Sequence, residues 1–252
     1  MTKVYGIIGK TLSHSFSKKY FQQKFEKENR KNVSYEIFPL DNIHQFPLLI
    51  QQYPLIAGLN VTIPYKEDVL KYVDILDDTA EKVGAVNVLK IQHKDTTNMI
   101  YGYNTDCIGF ESLLKKHSLA FDTQALILGS GGAAKAVAFV LQSMQVPYLL
   151  VSRLKKVNTL LYEQITEEIV RKCHLIINCT PLGMFPHADN YPQIPYKAIS
   201  NKHLLIDVVY NPFETAFLKK GKEQGASIEN GYAMFCIQAE ESWKIWNSNS
   251  EK

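Results

Sequence analysis

The stretch Ala125-Leu-Ile-Leu-Gly-Ser-Gly-Gly-Ala-Ala134 sets a short apolar run directly before a GxGxxA turn, and an apolar helical segment, Lys135 to Met144, follows at once. Each residue type has a physical reason to be there. Gly129 permits the tight turn, Gly131 lets a pyrophosphate approach the backbone, and the small Ala134 lets helix and strand pack. The helix start then offers unpartnered N–H groups to the anion. A GxGxxG pattern alone is often only a tight turn; strand before and helix after predict a dinucleotide-binding α/β unit that begins near Thr123.

Downstream, Tyr148 to Val151 reads as the next strand. Its end lies about 20 residues past the first glycine, where an NAD enzyme carries an acid for the ribose 2′-hydroxyl. Here the chain reads Ser152-Arg153-Leu154-Lys155-Lys156, with no carboxylate. A guanidinium and two ammonium groups suit a 2′-phosphate, so NADP(H) is the expected cofactor; the competing reading is a solvated basic turn. His174–Asn178, His203–Asp207 and Ser227–Glu229 continue the strand pattern, with a helix from about Thr215 to Gln224. Asn178-Cys-Thr180 stands at a strand end, suited to a nicotinamide ribose or ring, or to an ordinary turn. A last helix, Tyr232 to Asn247, is predicted to set Met234, Gln238 and Glu241 on one face.

Upstream, Lys3–Ile8, Val33–Pro39 and Gly58–Lys66 read as strands, separated by helices over Ser15–Asn29 and from a cap at Asp41 to about Gln52. This βαβαβ order predicts a largely parallel sheet. In Gly58-Leu-Asn-Val-Thr-Ile-Pro-Tyr-Lys66, Leu59, Val61 and Ile63 alternate with Asn60 and Thr62, and Pro64, lacking an N–H, is expected to end the ladder before Lys66. An amide, a hydroxyl and an ammonium thus converge at a strand end, the floor for a small polar substrate or a wet edge strand. Ser15 and Ser17 are helix N-cap candidates that also suit a carboxylate ligand. Short helices are expected over 66–73 and 78–83, then a strand pair, Asn87–Ile91 and Met99–Tyr103, joined by a hairpin loop from His93 to Asn98. Asp106 precedes a helix over Ile108–Lys116, where an acid in the first turn suits the macrodipole.

Composition narrows the function classes. The 252 residues are 46% hydrophobic with a net charge of +3, and the basic pairs are dispersed, which argues against nucleic acid as a partner. Cys107, Cys173, Cys179 and Cys236 show no metal-ligand or redox spacing, so no metal is expected and free thiols in the cytoplasm are. The apolar run Val4–Ile8 is too short for a signal-peptide core, and no segment approaches a membrane span. The expectation is a cytosolic protein of two α/β units, acting on a small molecule.

Taken in series, Ser15-Phe-Ser17, Asn60-Val-Thr62-Ile-Pro-Tyr-Lys66, Gly84-Ala-Val-Asn87, Gly102-Tyr-Asn-Thr-Asp106, Gly129-Ser-Gly-Gly-Ala133, Asp207-Val-Val-Tyr210 and Gly231 through Gln238 resemble the shikimate dehydrogenases over nearly the whole chain. The resemblance implies an N-terminal α/β substrate domain with a mostly parallel sheet over 1–106, and a Rossmann-like NADP-binding domain over 107–232. It also implies a cleft between them, and a C-terminal helix, about 233–252, packed back on the first domain. It further implies NADPH-dependent reversible reduction of 3-dehydroshikimate to shikimate in aromatic amino-acid biosynthesis, by a monomer or homodimer, with Lys66 and Asp106 as the catalytic pair. Ser15, Ser17, Thr62, Asn87, Asp106 and Gln238 would bind substrate, with Asn60 lining the site and Tyr210 nearby. Gly129, Ser130, Gly131, Gly132 and Ala133 would hold the pyrophosphate, and Ser152, Arg153, Lys155 and Lys156 the adenosine phosphate. Thr180, Val208 and Gly231 would meet the nicotinamide end, which Asp78 would also approach.

The chain departs from the family pattern at Lys18, at Phe21-Gln22, at Val88 and at Ser152-Arg153-Leu154, where one hydroxyl donor is lost. A quinate/shikimate dehydrogenase with relaxed cofactor use, a methylenetetrahydrofolate dehydrogenase and a non-catalytic ligand sensor are the competing readings. The folate enzyme would not require the Ser-x-Ser and Asn/Thr constellation, and the presence of both Lys66 and Asp106 speaks against the sensor.

Overall fold

The computed structural model describes residues 2–12, 15–93, 98–120 and 122–248. Strands of the first sheet are β1 (Lys3–Gly9), β2 (Val33–Pro39), β3 (Ile56–Val61), β4 (Ile75–Leu76), β5 (Val88–His93) and β6 (Asn98–Tyr103); those of the second are β7 (Ala125–Leu128), β8 (Tyr148–Ser152), β9 (Thr159–Leu161), β10 (Leu175–Asn178), β11 (Leu204–Asp207) and β12 (Ser227–Asn230). The helices are α1 (Phe16–Lys27), α2 (Phe46–Gln52), α3 (Asp78–Val83), α4 (Asp106–Leu114), α5 (Gly132–Ser143), α6 (Glu167–Lys172), α7 (Ala216–Glu223) and α8 (Tyr232–Asn247). They divide into two compact units, Met1–Thr105 with Gln238–Lys252, and Asp106–Ile237.

In the first unit the strand order is β2-β1-β3-β5-β6-β4. β1 lies parallel to β2 and β3, whereas β5 is antiparallel to both β3 and β6. Strand alternation sends Tyr5 and Ile7 to one face and Ile8 to the other, so both faces need apolar cover. Phe46, Leu49 and Ile50 of α2 pack with Ile8, Leu59 and Val61 on one side. On the other, Phe21 and Phe25, one helical turn apart on α1, meet Trp243 and Trp246 of α8 around Tyr5 and Tyr35. Phe21 stacks on Tyr35 with ring centroids 4.5 Å apart, and Trp246 on Tyr5 at 4.9 Å. Thus Phe21, a departure from the family pattern, is a core residue here, and Lys18, another, pairs with Glu36 at 2.8 Å.

Several local expectations are corrected. β3 ends at Val61 rather than running to Pro64, and Ile63 is 50% exposed instead of joining Leu59 and Val61 in the core. Pairing with β1 continues past the strand through Thr62 N to Ile8 O at 2.9 Å and Lys10 N to Ile63 O at 3.2 Å, reaching the residue before Pro64, as expected of a proline without an N–H. Asn42, not Asp41, caps the segment before α2: its side chain accepts from His44 N, and Gln45 answers from the third position of a short 3₁₀ turn. The 66–73 segment is a 3₁₀ turn, Asp68–Tyr72, and β4, too short to show a period, was not expected. Of the loop between β5 and β6, residues 94–97 lie outside the described residues.

In the second unit all six strands are parallel, in the order β12-β11-β10-β7-β8-β9. Counted by appearance from the β9 edge, that is the order third, second, first, fourth, fifth, sixth of a doubly wound dinucleotide-binding sheet. β7 is fully buried along its length, which is why it reads as an unbroken apolar run. The sequence reading missed β9 and α6. The start of α6 was nonetheless marked by Thr166, whose side chain accepts from Ile169 N, with Glu167 and Glu168 in the first turn.

Candidate functional site

Asn60 points from β3 toward the face covered by α8. The neighbouring Gly58 is required on that face, because a side chain there would run into the Trp246 indole. Asn60 is 6% exposed, so this position of the strand, read as substrate floor or wet edge, is not a wet edge. Tyr35 donates to Asn60 Oδ1 at 2.7 Å, and Asn60 Nδ2 donates to Ser242 Oγ at 2.9 Å. Ser242 in turn donates to the Gln238 carbonyl at 2.7 Å. Ser242 stands four residues after Gln238 and shares its buried side, whereas Glu241, expected on that face, pairs with Lys244.

The same network reaches Asn87, which lies just before β5. Its Oδ1 accepts from Thr105 N at 2.7 Å, and its Nδ2 donates to Thr105 Oγ1 at 3.0 Å and to Gln238 Oε1 at 3.5 Å. Residues 151 positions apart therefore present two side-chain amides side by side. The Lys66 carbonyl accepts from Val86 N at 2.7 Å, which ties the Lys66 backbone next to Asn87. Lys66 and Thr62 are half-buried, Ser17 is buried, and Ser15, at the α1 N-cap position, makes no side-chain cap bond. Tyr35, Thr105 and Ser242 were missed by sequence reasoning. Tyr35 reads as an ordinary core aromatic on an alternating strand, and only its hydroxyl contact separates it from one.

In the second unit, Gly129 has φ +114, and Gly131 caps α5 without a side-chain bond, leaving the first N–H groups of a twelve-residue helix to other acceptors. A Cβ on Gly131 would meet nothing within 4 Å, so open space lies directly over that helix start. Ser130 Oγ donates to Ser152 Oγ at 3.1 Å, and Lys156 Nζ donates to Ser130 O at 3.4 Å, which brings the basic turn after β8 to the glycine turn. Arg153 and Lys155 are exposed beside them. An anion cradle flanked by cations fits a pyrophosphate and a further phosphate.

The adjacent strand end is more constrained. Cys179 N donates to Leu128 O at 2.8 Å, so Asn178–Thr180 lies against the glycine turn, at the point where strand order reverses. Asp207 is fully buried: Oδ1 accepts from Asn178 Nδ2 and from Val209 N, both at 3.0 Å, and Oδ2 accepts from Thr215 Oγ1 at 2.6 Å. Burial pushes its carboxyl up to about 7, against hydrogen bonds from Thr215, Val209 and Asn178 that pull it down. Val208 packs beside Gly231, where any side chain would collide with the Val208 carbonyl. Tyr210 stacks on Phe235, ring centroids 4.7 Å apart. Asp106 opens α4 and is 5% exposed, and Asp78, in the first turn of α3, is exposed. Lys66 and Asp78 belong to the first unit, and Asp106 and Tyr210 to the second. Among the described residues, no helix is long and apolar enough to cross a membrane, and no cluster of three or more His, Cys, Asp or Glu residues could hold a metal ion.

Residues 7–89 match the family described as the shikimate dehydrogenase substrate binding domain. The chain is 40% identical to shikimate dehydrogenase (NADP(+)) of Clostridium beijerinckii over 255 residues, covering 96% of this chain and 91% of that one. Its fold is similar to the crystal structure of shikimate dehydrogenase 1 from Peptoclostridium difficile, with TM-score 0.83, 33% identity, and coverage of 100% of this chain and 94% of that one. It is likewise similar to the Thermus thermophilus shikimate 5-dehydrogenase solved in complex with NADP(H) and shikimate, with TM-score 0.84, 26% identity, and coverage of 98% and 94%.

Proposed function

We propose that this chain, which belongs to the shikimate dehydrogenase family, catalyses the reversible NADPH-dependent reduction of 3-dehydroshikimate to shikimate in aromatic amino-acid biosynthesis. The observation that carries the reading is the buried network of the first unit, which holds the amides of Asn87 and Gln238 within 3.5 Å of each other, with the Lys66 backbone tied to Val86. Polar groups fixed in this way suit a small polyhydroxylated ring, because an analogue lacking a hydroxyl would leave a buried donor unsatisfied.

The residue roles follow from chemistry. Lys66 is the general acid and base: its ammonium gives a proton to the oxygen developing at C3 and takes it back in the reverse direction. Asp106 orients that lysine and accepts from a substrate hydroxyl. Ser15 and Ser17 donate to the substrate carboxylate. Thr62, Asn87 and Gln238 read the ring hydroxyls, while Asn60, with both ends of its amide engaged, supports them from behind. Tyr210 lies near the substrate. The cofactor, when bound, supplies the hydride. Gly129 to Ala133 and the α5 N-terminus hold its pyrophosphate, and Ser152, Arg153, Lys155 and Lys156 its 2′-phosphate. Thr180, Val208 and Gly231 meet its nicotinamide end, with Asp78 close by. The four cysteines, none of them in a disulfide, support a reducing cytoplasm as the compartment, where the protein acts as a monomer or homodimer.

The test is loss of reduced-nicotinamide absorbance on adding 3-dehydroshikimate, repeated with NADH and in reverse with shikimate, quinate and NADP⁺. Turnover with NADPH well above that with NADH is expected. No turnover with either cofactor would sink the reading, and faster oxidation of quinate than of shikimate would reassign the substrate.

A further inference from the structure

The side-chain contacts behind Thr180 have a fixed direction. Asn178 Nδ2 is 3.0 Å from Asp207 Oδ1 and 3.3 Å from Leu182 O, and both of these are acceptors. Val209 N also donates to the same Asp207 oxygen, so that oxygen faces only donors. The orientation of the Asn178 amide is therefore forced, and its Oδ1 is the atom that faces Thr180 N at 3.0 Å and Thr180 Oγ1 at 2.6 Å. A carbonyl oxygen carries no hydrogen, so the Thr180 hydroxyl must donate to it. Leu182 N donates to Thr180 Oγ1 at 3.3 Å and occupies one lone pair. What the hydroxyl retains for a ligand is one lone pair and no hydrogen.

We propose that Asp207 and Asn178 are positioning residues that fix the polarity of the Thr180 hydroxyl, so that Thr180 meets a ligand only as a hydrogen-bond acceptor. The proposal rests on the reading above that Thr180 meets the nicotinamide end of the cofactor. The ligand group it selects is a donor, and that end offers two: the carboxamide N–H₂ and the ribose hydroxyls. Sequence reading could not supply this. Asn178 and Asp207 are 29 residues apart, and their contact exists only because β10 and β11 are neighbours in register.

The test is a double-mutant cycle read as NADP⁺ affinity, by calorimetry on the intact protein. Thr180→Val and Asn178→Ser should each weaken binding by roughly tenfold, the equivalent of one hydrogen bond of about 1.4 kcal/mol. The double variant should be no weaker than either single one, because Asn178 acts through the Thr180 hydroxyl alone. Asp207→Asn, which keeps an acceptor facing Asn178, should retain affinity within about twofold. Additive losses in the double variant, or unchanged affinity in Asn178→Ser, would overturn the proposal. Should Asn178→Ser not fold, Thr180→Ser against Thr180→Val decides: equal affinities overturn the proposal, and a loss confined to valine supports it. Repeating the cycle with the 3-acetylpyridine analogue, which lacks the carboxamide N–H₂, identifies the donor. A Thr180→Val penalty that vanishes assigns the carboxamide, and one that persists assigns the ribose. Failure of the wild-type protein to bind NADP⁺ would instead sink the cofactor reading itself.

Discussion

In the first unit, polar side chains from positions 35, 60, 87, 105, 238 and 242 meet in one buried network, whereas in the second the glycine turn before α5 offers backbone N–H groups without a side-chain cap. The side-chain network is assembled from five separate stretches of chain. The backbone cradle is made by one continuous segment and stays open, with free space over Gly131. Side-chain sites gain selectivity from fixed donors and acceptors but depend on the packing that brings them together. Backbone sites need only a local conformation, and they bind any group of the right charge and size.

Substitutions can break this contrast. The largest effect is expected at Lys66: Lys66→Ala should lower kcat by roughly 10²–10⁴ with a smaller change in substrate KM, and near-normal kcat in steady-state assays would remove Lys66 from the chemistry. Next comes Asp207, the carboxylate in the second unit's polar cluster; the first unit's network has none. Its folded pKa of about 7 lies above the ordinary value of 3.8, so the folded state holds the proton more tightly than the unfolded chain. Its contribution is full below about pH 4 and is lost as pH rises toward about 7, a loss on the order of a few kcal/mol. Urea titrations of the wild type and Asp207→Asn should show wild-type stability falling relative to the variant across that window. A difference independent of pH would contradict the burial argument.

Two glycine-to-alanine changes sharpen the comparison further. Gly58→Ala must displace the Trp246 indole and should cost about 1–3 kcal/mol of stability, as overpacking does. Gly131→Ala, at φ −92 with open space around it, should leave stability within about 0.5 kcal/mol while weakening NADPH binding by roughly tenfold or more. Equal stability losses in the two variants would erase the distinction drawn between the units. Finally, Arg153→Ala should raise KM for NADPH by about tenfold and leave that for NADH nearly unchanged. An equal effect on both cofactors would assign the 2′-phosphate elsewhere.

How far the sequence could be read followed the same divide. The bounds of β2, β7, α3 and α8 were legible because each rests on local periodicity or a local cap, such as Asp77 accepting from Ala80 N before α3. Errors fell where a neighbour in space decided the outcome. Ile63 continues the alternation of β3 but lies beyond its packed part, and Asp41 is as good a cap by type as Asn42, which the 3₁₀ turn selected. Asn60 reads equally as substrate floor or wet edge, because Ser242 of α8, to which its amide donates, lies 182 residues later.

The sequence by itself determined the doubly wound second unit and its cation-flanked glycine turn, since a strand, a glycine turn and a helix start are contiguous and their chemistry is local. It also carried the motifs that mark the family. Only the tertiary structure decided which side chains would be tied together: Asn60 to Tyr35 and Ser242, Asn87 to Thr105 and Gln238, Asn178 to Asp207. The reason is that a buried amide must find partners, and which ones it finds depends on sheet order and helix docking, not on its neighbours in the chain.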